Sequence, residues 1–261
     1  MTTANTVPRR VSDTPRIVQS VVHASGLLKA LQKAGRPATL SDLARKIGLS
    51  KPATHALLKT LELDGLIAKD NSARYQLSWG LYELGSAVSR SLSLTKVARM
   101  QLDRLAEATG EAVLLGILDN RSVLYLDRGQ LAESFRMVAN IGRRSPLHTT
   151  ASGKVLLAGQ DEAYLDALLA DRLSPTTSKT ITDPAKLRAE LDLVRRCGYA
   201  LCRQEQEIGL SSIAVPVRDR AGVVLAAIAI AGPTNRIEAA AQPRLFVALR
   251  ACATEISGQL A

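Results

Sequence analysis

The stretch TLSDLARKIGLSKPATHALLKTL, residues 39–61, decides how the first third of the chain is read. Leu40, Leu43, Ala44 and Ile47 recur at helical spacing, and Thr39 stands where a helix needs an acceptor for its first N–H groups. Gly48-Leu49 makes a tight turn. Ser50 then caps a second short helix, with Pro52 in the first turn, where a missing N–H has no helical partner to lose. Gly65 stops this helix after about Asp64. Two short helices joined by a Gly-containing turn form a helix-turn-helix pattern. In the second helix Leu57, Leu58 and Leu61 point inward, which leaves Lys51, Thr54, His55 and Lys59 to face outward. Short donors flanked by lysines, with Ser50 and Pro52 at the same edge, match what the major groove of a duplex accommodates.

Working outward, the spacing of Ile17, Val18, Val21, Val22, Leu27, Leu28 and Leu31 predicts a preceding helix, ended by Gly35-Arg36-Pro37. After Gly65, residues 66–69 and 74–77 alternate around the turn Asp70-Asn71-Ser72 like a small hairpin. Helices followed by a hairpin make a winged helix-turn-helix domain, assigned to residues 16–78, with Asn71 and Arg74 at the wing, where backbone phosphate is reached. Residues 1–15 are polar, carry Arg9-Arg10, and are expected to form a flexible arm. Residues 79–93 read as a linker helix with a Ser-rich hinge.

Charge supports this division. Residues 1–90 hold 13 Lys/Arg against 6 Asp/Glu, a net of +7, whereas the remainder carries a net of +3. A concentrated basic surface suits nucleic acid. Aromatic residues make up only 3%, too few for a base-stacking platform on single strands. No apolar run reaches the ~18 residues of a membrane span. The N-terminus lacks a secretory signal pattern, and the three cysteines, Cys197, Cys202 and Cys252, are too few for a disulfide framework. A cytoplasmic location with reduced thiols and no membrane partner is expected.

Residues 94–261 have a different character. Apolar strands are predicted at 112–119 and 122–128 around the turn Asn120-Arg121, then at 135–139, 211–218 and 223–231. Helices are predicted at 94–109, 151–159, 161–170, 184–197 with Asp183 as cap, and 236–260. Hairpins with inserted helices indicate an α+β fold, an antiparallel sheet carrying helices, as in ligand-sensing domains.

Catalytic and cofactor motifs fail on inspection. Ser152-Gly153-Lys154-Val155 looks like the end of a phosphate loop, but His148 stands where a Gly is needed and Val155 where Ser or Thr would hold magnesium. Gly209-Leu210-Ser211-Ser212-Ile213 begins like a nucleophile elbow, yet Ile213 replaces the closing Gly. Cys197 and Cys202 have no C-x-x-C spacing, so neither a metal site nor a cofactor is expected. The alternative reading is a small-molecule hydrolase with an appended helix-turn-helix module, its nearest candidate being His148 beside Thr149 and Thr150.

The order and spacing of several segments resemble the IclR-type (isocitrate lyase regulator) transcriptional regulators along about 220 residues. These segments include 39–49, 53–61, Leu81-Tyr-Glu-Leu-Gly85, Val123-Leu-Tyr-Leu-Asp127, residues 142–154, Thr180-Ile-Thr-Asp183, Ile213–Asp219 and Gly232-Pro233. The resemblance implies a winged helix, a linker helix and a GAF-like effector domain over 94–261. It also implies a repressor acting as a homodimer or dimer of dimers on palindromic double-stranded operators near catabolic genes. Ala56 departs from the Arg often found there, which removes one expected contact. Carried over position by position, the effector pocket falls on the loop Thr150, Ala151, Ser152, Gly153 and on Cys202, Ser212, Ala229 and Ala231. A helix N-terminus at 151 offers N–H groups to an anion. An acidic position has become Cys202, and two that are often Ser have become Ala229 and Ala231. The expected effector is therefore a small metabolite, aromatic or otherwise apolar, because unpaired polar groups are costly to bury.

Overall fold

The structure, a computed structural model, describes residues 17–91, 93–129, 141–237 and 242–260, without side chains for 88–93. The arm at 1–15 and the strand expected at 135–139 lie outside the described residues. Two compact units form, the first ending at Ser91, and each is described by itself.

The first unit holds α1 (Gln19–Ala34), α2 (Leu40–Ile47) and α3 (Lys51–Leu63). The hairpin β1 (Ile67–Lys69) and β2 (Tyr75–Leu77) follows, then α4 (Trp79–Ser91). Each boundary has a local cause. Gly35 ends α1 and Gly48 ends α2, both in the left-handed region that glycine enters freely. Thr39 accepts from Asp42 N and Ser50 from Ala53 N, the two caps the sequence predicts. Leu27 and Leu31 of α1 meet Leu43 of α2, Leu58 and Leu61 of α3, and Ile67 and Tyr75 of the hairpin in one core. Ala38 exchanges two backbone hydrogen bonds with Tyr75, at 2.9 and 2.8 Å, which ties the α1–α2 loop to the wing.

The second unit is an antiparallel six-stranded sheet between two helical layers. Its strands are β3 (Ala112–Asp119), β4 (Ser122–Arg128), β5 (Arg144–Pro146), β6 (Ala200–Arg203), β7 (Leu210–Arg218) and β8 (Val224–Pro233). They lie in the order β5-β4-β3-β8-β7-β6. The β3–β4 turn places Asn120 and Arg121 both at positive φ, the turn that matches strand twist. Period-two alternation divides the apolar residues between the faces. Val113, Leu115, Ile213, Val215, Ile228 and Ile230 face α5 (Ser93–Thr109) and α10 (Gln242–Gln259). On the opposite face Leu114, Ala214, Ala227, Ala229 and Ala231 pack with α6 (Ala151–Ala158), α7 (Glu162–Leu169) and α8 (Pro184–Cys197).

The fold is thus α+β with an N-terminal winged helix-turn-helix and a C-terminal antiparallel-sheet domain. The edge strands β5 and β6 are additions to the sequence reading. The closing helix expected at 236–260 is described as α9 (Thr234–Ile237) and α10.

The alanines on one face of β8 let α6 lie close over the sheet. A Cβ added to Gly153 in α6 would sit 2.0 Å from the Leu147 carbonyl oxygen, which is backbone and cannot step aside. Gly153→Ala should therefore destabilise the second unit by roughly 1–3 kcal/mol or more, read from urea unfolding. An unchanged midpoint would show that the α6 approach is looser than described.

Candidate nucleic-acid interface and cavity

The outward face of α3 is defined by what its other face buries. Leu58, Leu61 and Thr54 are buried. Lys51, Pro52, His55 and Lys59 are exposed, and Ser50 sits exposed at the N-cap. Thr54 is a correction to the sequence reading. It shares the inward face with Leu58 and Leu61, and its hydroxyl donates to the Ser50 carbonyl at 2.9 Å. A threonine can be buried in a helix because its hydroxyl finds the carbonyl four residues back. Ala53 and Ala56 are exposed beside the predicted residues, so the position at which the resemblance leads one to expect Arg does lie on the outward face. Lys59 Nζ lies 3.1 Å from Glu62 Oε2, an exposed pair that competes weakly for this cation.

At the wing, Asp70 Oδ1 accepts the N–H groups of Ser72 and Arg74, each at 2.9 Å. This builds a compact tip that passes through Ala73 at a φ of 58°. Asn71 and Arg74 are exposed there, as expected.

In the second unit a cavity of about 40 Å³ lies between the start of α6, the sheet and the β6–β7 connection. Thr150, Ser152, Cys202, Ser212, Ala229 and Ala231 line it, six of the eight predicted residues. Ala151 and Gly153 do not. Ala151 is fully buried in the core cluster, and Gly153 faces Leu147 while its N–H is taken by Thr150 Oγ1 at 3.0 Å. Successive helical residues point about a quarter-turn apart, so a contiguous loop cannot all face one space. Tyr125, Ser145 and Gln206 also line the cavity and escaped the sequence reading. For Tyr125 a signal existed: it alternates with buried Val123 and Asp127 along β4.

The cavity has an apolar wall, Leu114, Ala229 and Ala231, facing a cluster of hydroxyls. Ser152 Oγ is buried without a hydrogen-bond partner. Burial raises the Tyr125 hydroxyl pKa, opposed by the neighbouring Ser152 and Thr150 hydroxyls. Burial likewise pushes the Cys202 thiol up, reinforced by Glu205, so the neutral thiol donates to the Thr149 carbonyl at 3.1 Å. The Gly153 and Lys154 N–H groups already bond to Thr150, so of the first-turn residues Ser152 is the one that both lines the cavity and keeps its N–H out of those two bonds.

In the same helix Lys154 is only 1% exposed. Its Nζ lies 2.7 Å from Glu205 Oε1, 3.0 Å from the Leu201 carbonyl and 3.3 Å from Glu190 Oε1. Thr176 and Thr180 hydroxyls donate to the Glu205 carbonyl, and Thr149 Oγ1 donates to Gln206 Oε1. The ammonium thus staples α6 to the β6–β7 connection and does not reach for a phosphate. His148 Nε2 bonds to the Ser174 carbonyl at 3.0 Å and does not line the cavity. Among the described residues no cluster of three or more metal-type side chains forms, and no helix is long and apolar enough to cross a membrane.

Residues 20–71 match the IclR helix-turn-helix domain, and residues 86–258 match the family described as bacterial transcriptional regulator IclR C-terminal. The chain belongs to the IclR family. It is 37% identical over 248 residues to the HTH-type transcriptional regulator KdgR of Dickeya chrysanthemi, covering 94% of this chain and 81% of that protein. It is also 37% identical to the glycerol operon regulatory protein of Streptomyces coelicolor, covering 94% and 97%. Among solved structures, an IclR homologue from Microbacterium hydrocarbonoxydans complexed with 4-hydroxybenzoate has a TM-score of 0.83 at 27% identity, covering 92% and 98%. The protein is a DNA-binding transcriptional regulator of this family, and the hydrolase alternative is set aside.

Removing one member of a buried ion pair leaves the other charge uncompensated. Lys154→Met in this IclR-family regulator should cost about 3–5 kcal/mol of stability in urea unfolding, and adding Glu205→Gln should restore part of it. A single variant as stable as the wild type would contradict the burial of this pair.

Proposed function

We propose that the regulator represses a catabolic operon by binding a palindromic operator, and that a small aromatic or otherwise apolar metabolite bound in the cavity controls it. One observation carries the effector reading: Ser152 lines the cavity at the first turn of α6, and its buried Oγ, beside the Tyr125 hydroxyl, has no partner at good hydrogen-bond geometry. A buried hydroxyl left unbonded is costly, so a ligand acceptor at that point relieves a real penalty. The N–H groups of the α6 first turn favour a carboxylate at the same end, while Leu114, Ala229 and Ala231 favour an apolar body. The 4-hydroxybenzoate complex of the Microbacterium homologue supports this class of ligand.

The cavity of about 40 Å³ holds a few water molecules, since one needs about 10–15 Å³ of such space. A ring enters only if α6 and the β6–β7 connection part. Binding then favours one of two arrangements, and the separation of two recognition helices changes with it. Assembly as a homodimer or dimer of dimers is supported by apolar side chains left exposed on the first unit, among them Val21 at 61% and Trp79 at 78%.

For DNA, Ser50, Lys51, Pro52, His55 and Lys59 of the α3 edge and Asn71 and Arg74 of the wing are the proposed contacts. Lys51→Gln should weaken binding to every duplex and flatten log affinity against log salt by about one. His55→Ala should instead change the preference between sequences by about 1–3 kcal/mol at the contacted base pair. An unchanged salt slope for the Lys51 variant would mean that α3 does not face the duplex. Calorimetric titration with aromatic acids and small ketoacids tests the effector class. Aromatic acids should bind, and tight binding of only the small polar acids would overturn the proposal.

A further inference from the structure

A second surface in the first unit carries charge that neither α3 nor packing explains. A cleft of about 640 Å³ runs between the C-terminal end of α1, the length of α2 and the wing. Its lining includes Arg36, Arg45, Lys46 and Arg74, with Asp42 as the single acid. Ala30, Ala34, Pro37 and Ala38 line it with short side chains, so the cations overhang open space. We propose that this cleft grips the phosphate backbone of duplex DNA through Arg36, Arg45, Lys46 and Arg74, flanking the contacts made by α3.

Three features carry this. First, four cations from three separate elements converge against one acid. Their mutual repulsion opposes folding, and a polyanion seated among them relieves it. Second, the internal partners leave donors to spare. Arg45 Nη2 meets Asp42 Oδ1 at 2.7 Å, but the Arg45 side chain remains 80% exposed. Lys46 Nζ makes one long contact, 3.5 Å, to the Ala30 carbonyl, and an ammonium has three protons. Third, the cleft is continuous with the wing through Arg74, and the Ala38–Tyr75 bonds fix its two walls relative to each other. A duplex presents one negative charge about every 1.7 Å of its axis, so a spread of cations fits a run of phosphates better than one small anion.

The inference rests on the protein binding duplex DNA, and its test is separable from that of the α3 edge. The full chain is titrated with a short duplex of mixed sequence at several salt concentrations. Variants are Arg36→Gln/Arg45→Gln/Lys46→Gln together, Asp42→Asn alone, and Lys51→Gln as the α3 reference. All substitute exposed or partly exposed positions, and circular dichroism confirms folding. The triple variant should lower the salt slope by about two to three, near 0.9 for each phosphate no longer neutralised. Asp42→Asn should act in the opposite direction, with tighter binding, because it removes the acid and releases Arg45. A folding defect alone cannot tighten binding. Wild-type slope in the triple variant overturns the proposal. If Lys51→Gln still lowers the slope, the α3 interface stands without the cleft. If neither changes it, both surfaces are refuted. Competition by inorganic phosphate at concentrations that do not act through ionic strength would assign the cleft to a small anion and also overturn the proposal.

Discussion

The inward face of α3 is the constraint on which the DNA-binding reading depends. Leu58 and Leu61 are held in a core shared with α1, α2 and the hairpin, and Thr54 is locked on the same face with its hydroxyl on the Ser50 carbonyl. A helix has one rotational setting that buries all three, and that setting decides what faces away. The caps at Thr39 and Ser50 and the left-handed Gly48 fix where α2 ends and α3 begins, so the exposed edge starts at a defined residue. In the proposed interface, orientation thus grows out of packing: the apolar residues choose it, and the exposed lysines inherit it.

The same logic governs the second unit. Alanines on one face of β8 remove side-chain bulk beneath α6, and Gly153 lets the helix settle onto Leu147. The space that remains is the cavity. Lys154 and Glu205 form a buried charge pair that ties α6 to the β6–β7 connection. Such a pair contributes little net stability but tolerates few alternative arrangements. In the proposed effector mechanism, a ligand that wedges between α6 and the β6–β7 connection works against that tie.

Most elements are legible in the sequence because their signals are local. Caps such as Thr39, Ser50 and Asp183, helix-ending glycines and period-two strands depend on residues a few positions apart. Thr54 misleads because polarity suggests exposure, whereas its hydroxyl satisfies itself within the helix. Ala151 and Gly153 mislead because they adjoin Thr150 and Ser152 in sequence, although helical rotation turns them away from the cavity. Tyr125, Ser145 and Gln206 come from separate strands and turns brought together by the order β5-β4-β3-β8-β7-β6, which no local pattern encodes. Lys154 resembles an ordinary surface lysine until its two glutamates, 36 and 51 residues away, are seen beside it.

In the proposed complex α3 lies against duplex DNA with Lys51 at the contact. Chemical labelling of lysines in the full chain, with and without a duplex, reports on that contact. Lys51 should lose reactivity when the duplex is present, while Lys186 at the start of α8 keeps its own. Equal labelling of Lys51 in both states, with binding independently verified, would mean that α3 does not face the duplex.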